Sequence, residues 1–137
     1  MSKLVYIAGP LFSQAERDYL EKMVEKLAKA SELDPIEDFF LPHRDYPDGS
    51  PRKEIFNADM DALSEARIVV GWLDTIDGGT CVELGYAYSY CNQIFALGVA
   101  SCSEDLMIWG VCEKGKTLFH NLDDLAEAFG KYVKEAK

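Results

Sequence analysis

The sequence has 137 residues, 48% of them hydrophobic, enough to bury one core and too few for two. Asp and Glu number 24 against 14 Lys and Arg, a formal net charge of −10, which repels phosphate backbones and anionic lipids; neither a nucleic-acid polymer nor a membrane is an expected partner. The cysteines Cys81, Cys91, Cys102 and Cys112 form no CxxC pair and have only His43 and His120 to join them, so reduced thiols in a cytoplasmic protein are expected, with no metal and no cofactor.

Leu4 to Ala8 is a short apolar, β-prone run stopped by Gly9-Pro10. It predicts a buried first strand and lacks the long apolar stretch of a signal peptide. Ser13-Gln14-Ala15-Glu16 has capping-box spacing, and Tyr19, Leu20, Met23, Val24 and Leu27 recur at helical intervals, predicting a helix from about 14 to 30. Residues 34 to 52, punctuated by Pro35, Pro42, Pro47, Gly49 and Pro51, read as irregular, with a short strand at Phe39-Phe40-Leu41. A second helix is expected from about 51 to 66, with Pro51 near its start. Arg67 to Leu73 predicts a further buried strand, and Gly78-Gly79-Thr80 turns into a helix over about 80–91. Gln93 to Gly98 reads as a strand, Ser103 to about Cys112 as a short helix, and Thr117-Leu118-Phe119 follows. Asn121 caps a last helix carrying Leu122, Leu125, Phe129, Tyr132 and Val133. Alternating elements with continuously apolar strands predict one α/β domain, residues 1–137, on a parallel sheet covered on both faces. Ligands bind such sheets beyond the carboxyl ends of the strands, which directs attention to the loops after Ala8, Leu73 and Gly98.

Two carboxylates break the local pattern. At 100° per residue Ile55, Phe56, Met60, Ala62, Leu63 and Ala66 share one arc of the second helix, with Asp59 in its middle, while Asp61 and Glu65 point away. A carboxylate turned toward a core is paired, hydrogen-bonded or functional. Glu83 falls in the expected first turn of its helix, where the dipole favours the ionised form, and Gly85 beside it permits close backbone approach. It can serve as a nucleophile or electrostatic clamp, or merely satisfy the dipole. Gly78-Gly79-Thr80 fits neither Walker A nor GxGxxG, and neither histidine sits in a hydrolase elbow. His43 reads as a loop or pocket-wall residue, His120 as a neighbour of the last helix.

Together, Tyr6-Ile-Ala-Gly-Pro-Leu-Phe12, Asn57-Ala-Asp59-Met-Asp-Ala-Leu63, Asp77-Gly-Gly-Thr-Cys-Val-Glu83-Leu-Gly-Tyr-Ala87 and Asp105-Leu-Met-Ile-Trp-Gly-Val111 resemble the nucleoside 2-deoxyribosyltransferase family, in the family's order and over most of the chain. The resemblance implies a flavodoxin-like (Rossmann-like) three-layer fold with a five-stranded parallel sheet. It also implies retaining transfer of 2-deoxyribose between nucleobases, with 2′-deoxynucleosides and free bases as partners. By motif position Glu83 matches the nucleophile that forms a covalent deoxyribosyl-enzyme, and Tyr6 the tyrosine that orients it. Asp59 and Asp77 match the aspartates that hold the base and assist its protonation or the binding of the sugar; which one donates the proton stays open. Phe12 matches a base-stacking aromatic, and Gly9, Gly79, Asp105 and Met107 complete the implied substrate-binding set. In the family the segment containing Asp105 and Met107 reaches a neighbouring subunit's site, which implies a homo-oligomer, a dimer or hexamer; Tyr86, Tyr88, Tyr90 and Trp109 would suit its contacts. Asp105 stands where such transferases carry Asn and related 5′-monophosphate N-glycosidases carry Ser. A carboxylate there repels a phosphate dianion but accepts a hydrogen bond from a free 5′-hydroxyl, which favours nucleosides. The alternative activity is hydrolysis of a nucleoside or nucleotide at the same site, and a third reading is a non-catalytic nucleotide sensor.

Overall fold

The computed structural model describes residues 3–46, 49–90 and 93–136. Pro47 and Cys91, named above, lie outside them. Strands β1 (Val5–Ala8), β2 (Phe39–Phe40), β3 (Ile68–Leu73), β4 (Gln93–Gly98) and β5 (Leu118–Phe119) pair in parallel in the order β2-β1-β3-β4-β5. This is the flavodoxin-like order, whose switch point lies between β1 and β3. There Val5 pairs with Ile68 and Ala8 with Gly71, so the carboxyl end of β1 lies beside the middle of β3.

Strand alternation divides the core in two. Val5, Ile7, Val70, Trp72, Phe95 and Leu97 face helices α1 (Gln14–Ser31) and α6 (Leu122–Glu135), burying Leu20, Met23, Leu27, Leu125 and Phe129. Each such side chain contributes about 1.5–3 kcal/mol on transfer from water. Tyr6, Ala8, Val69, Leu73 and Ala96 face the opposite layer. That layer holds α3 (Arg52–Glu65), α4 (Gly78–Tyr88) and α5 (Leu106–Val111), which follows a 3₁₀ turn at Ala100–Glu104.

The helix ends follow local chemistry. Ser13 accepts from the Glu16 amide at 3.1 Å, and the Glu16 carboxylate accepts from the Ser13 amide at 2.8 Å, completing the expected capping box. Asn121 caps α6 through the Asp124 amide at 2.8 Å. The segment read as irregular contains one short helix, α2 (Pro42–Asp45), with Pro42 at its start. Arg44 pins it by donating to the carbonyls of Pro35 (2.9 Å) and Phe39 (2.6 Å), while Asp45 accepts from the Leu41 amide at 2.8 Å. Those partners all lie within ten residues along the chain, but a four-residue helix is barely one turn and too short to show an apolar period, which is why no local periodicity announces it. Among the described residues no helix is long and apolar enough to cross a membrane.

Candidate active site

Tyr6 is the largest fully buried side chain of β1, and its hydroxyl donates to Glu83 Oε2 of α4. The phenol is held far above its usual range, first by burial and then by the Glu83 charge. The Tyr6 ring stacks on Phe40 of β2, with centroids 5.4 Å apart and planes 12° off parallel. Phe40 was not singled out from the sequence. Only the β2-β1 pairing of Tyr6 with Phe40 brings the two together.

Helix α4 starts at Gly78, earlier than the sequence implied, so Glu83 sits in the second turn and the first turn carries no acid. The dipole argument for an ionised Glu83 weakens accordingly. Burial raises its pKa to about 7; the Tyr6 hydrogen bond opposes this, and the charges of Asp59 and Asp77 add to it. The first-turn role belongs to Asp77, the N-cap, whose Oδ2 accepts from the Thr80 amide at 3.1 Å. Gly85 does not serve a close backbone approach within this chain: a Cβ there would meet nothing within 4 Å.

The expected burial of the α3 arc holds only in part. Leu63 and Ala66 are buried, Ile55, Met60 and Ala62 are half-buried, and Phe56 is 64% exposed. Asp59 is half-buried, and burial pushes its carboxyl up to about 6. Asp59 Oδ1 and Asp77 Oδ1 are both shielded from solvent without a hydrogen-bond partner among the described residues. Buried acceptors left open in this way are costly, and a bound N–H or O–H would relieve them. Tyr6, Glu83, Asp59 and Asp77 thus form one electrostatically coupled cluster at the switch point.

The remaining expected positions are spread around this cluster. Gly9 follows β1, where a Cβ would come 2.9 Å from Leu20 Cδ2, a contact that a shift of that side chain would have to relieve. At Gly79 a Cβ would lie 3.5 Å from Asp77 Oδ2, an ordinary contact. Phe12 is 83% exposed and Met107 is 73% exposed. Asp105 caps α5, its Oδ1 accepting from the amides of Met107 and Ile108, both at 3.0 Å. Asp105 and Met107 line a cavity of about 290 Å³ between α4 and α5 with Cys81, Leu84 and Gly85, and are not part of the Tyr6–Glu83 cluster. His43 lies on α2, 3.7 Å from Glu21, and His120 borders α6 as read. Among the described residues no group of three or more His, Cys, Asp or Glu could hold a metal ion.

The family model for nucleoside 2-deoxyribosyltransferase matches residues 5–123, which include every member of the cluster. The chain belongs to the nucleoside 2-deoxyribosyltransferase family. No curated protein matches the chain. Among solved structures, this nucleoside 2-deoxyribosyltransferase family member is similar to a conserved protein from Enterococcus faecalis (24% identity, TM-score 0.78, covering 96% of this chain and 99% of that one). It is also similar to a 2-deoxyribosyltransferase from the psychrotolerant bacterium Bacillus psychrosaccharolyticus (21% identity, TM-score 0.67, 89% of each chain). At these identities the likeness establishes the shared fold.

Proposed function

We propose that this protein transfers 2-deoxyribose between nucleobases with retention, through a covalent deoxyribosyl-Glu83 intermediate. The observation that carries the reading is the Tyr6 hydroxyl on the Glu83 carboxylate, flanked by two aspartates with open, shielded oxygens. Retaining glycosyl transfer needs one carboxylate to attack C1′ and a proton source for the departing base. Glu83 attacks C1′ through its ionised oxygen as the C1′–N bond breaks, and the base leaves with the bonding electrons. A 2-deoxy sugar lacks the electron-withdrawing 2-hydroxyl, so positive charge develops at C1′ at lower cost. Asp59 is the better proton source: burial pushes its carboxyl up to about 6, whereas Asp77 Oδ2 is already engaged by the Thr80 amide at the α4 N-cap, and the reactive form is the one in which the proton sits on Asp59 and not on Glu83. A second base then attacks C1′ from the vacated side, releases Glu83 and returns the proton to Asp59.

The acceptor side of the reading rests on oligomerisation. Phe56, Val82, Tyr88, Leu106 and Met107 are 64–73% exposed, and a second copy of the chain would cover such side chains while bringing Asp105 and Met107 to its neighbour's sugar. Asp105 retains one carboxylate oxygen beyond its capping bonds for a 5′-hydroxyl.

Incubation of a 2′-deoxynucleoside with and without a second free base tests the reaction. An exchanged nucleoside that forms only with the second base, and is lost in Glu83→Ala, is the expected result. Free deoxyribose in both tubes with no exchanged nucleoside would make the protein a hydrolase, and binding without turnover would make it a sensor.

A further inference from the structure

On the sheet face opposite Glu83, the carboxyl ends of β3 and β4 border a cleft of about 310 Å³ that includes Tyr19, Trp72, Asp74, Val99 and His120. Strand alternation separates it from the cluster above: Leu73 packs toward α4, while Trp72 packs with α1 and α6. Tyr19 and Trp72 form its wall, stacked with centroids 4.4 Å apart and planes at 26°. His120 Nδ1 lies 2.8 Å from the Gly98 carbonyl. In the neutral ring that nitrogen donates to the carbonyl, which leaves Nε2 as an acceptor. Asp74 adds a carboxylate near the Tyr19 hydroxyl; burial first, and then this charge, push the phenol up. The cleft has an aromatic wall and the acceptor side chains Asp74 and His120 in its lining, at the edge where parallel sheets take ligands. It is also reached from the loop after Gly98, which the Glu83 cluster leaves unused.

We propose that this cleft is a second ligand site, taking a planar nitrogen heterocycle that presents N–H donors and carries no negative charge. Tyr19, partly exposed and stacked on the buried Trp72, supplies apolar area against a flat ring. Asp74 and His120 Nε2 accept from ring or exocyclic N–H groups, and the Asp74 charge together with the net charge of −10 disfavours a phosphate. A free amino-bearing base such as adenine has this chemistry and fits one such volume. Asp74 opens the loop that ends at Asp77, so an occupant here sits at one end of the segment whose other end caps α4.

The chain has two tryptophans, so Trp109→Phe leaves Trp72 as the sole reporter. Adenine titrated into the Trp109→Phe/Glu83→Gln protein should change Trp72 fluorescence saturably, with AMP at least 10-fold weaker. Adding Asp74→Ala or His120→Ala should weaken adenine at least 5-fold, whereas adding Asp59→Asn should leave its affinity unchanged. No saturable change would overturn the proposal. So would affinity that responds to Asp59→Asn and ignores Asp74→Ala and His120→Ala, since the base would then occupy the Glu83 site. The measurement reads binding without turnover, so its outcome is separate from whether Glu83 transfers a sugar.

Discussion

Burial and hydrogen bonding act on Glu83 in opposite directions: desolvation raises its pKa to about 7, while the Tyr6 hydroxyl favours the charged form. Removing that donor leaves burial unopposed. Tyr6→Phe should therefore move the acid limb of kcat/KM to higher pH and lower activity at pH 6 by about 10- to 100-fold, the worth of one hydrogen bond to a charged group. An unmoved limb would mean that Tyr6 does not hold the carboxylate. The same burial makes a prediction about stability. Because the folded pKa lies above the ordinary 4.5, the folded state binds that proton more tightly than the unfolded chain. The stabilisation is complete below pH 4.5 and is lost as pH rises through about 7. Glu83→Gln carries no charge, so it should exceed the wild type by about 1–3 kcal/mol at pH 8 and match it near pH 4. Urea unfolding at the two pH values decides; an equal difference at both would contradict a buried charge. The candidate carboxylates were legible in the sequence because Asp59 interrupts an apolar arc and Glu83 lies beside a glycine turn. The balance between dipole and burial was not, since it depends on where α4 begins and on what covers Glu83. Phe40 was illegible for another reason: it meets Tyr6 only through strand order.

Among the elements, α1 and α6 were the most legible because capping residues and helical periodicity agree. They meet closely at Gly130, where a Cβ would come 2.5 Å from the Ala30 carbonyl oxygen. A backbone atom cannot swing aside as a side chain can. Gly130→Ala should destabilise the protein by about 1–3 kcal/mol, as overpacking does, whereas Gly78→Ala, with nothing within 4 Å of the new Cβ, should stay within about 0.5 kcal/mol. Thermal melts of both variants check this, and equal midpoints would show that the α1–α6 contact yields. The α3 arc was misread as wholly core because apolar periodicity records a face that is covered without saying by what. In this chain Phe56 remains open to solvent. Helix α2 is four residues long, too short for an apolar period, and is held by the side chains of Arg44 and Asp45 on neighbouring backbone, so periodicity carries no signal for it.

For the molecule as a whole, the parallel sheet could be read from alternating elements, whereas in the sequence an association of chains is implied by the resemblance alone. Exposed Phe56, Leu106 and Met107 are the physical reason to expect association. Sedimentation should give a mass at least twice the 15.4 kDa of one chain, reduced by Met107→Asp together with exchange activity. A monomer with full activity would remove the shared site. The proposed transfer requires a sugar carried by Glu83. Acid quenching during turnover of a 2′-deoxynucleoside, followed by peptide mass spectrometry, examines that directly. One deoxyribosyl group on the peptide containing Glu83, discharged when a second base is added and absent from Glu83→Ala, is the expected result. Turnover that persists in Glu83→Ala, or an adduct on a different residue, would contradict it.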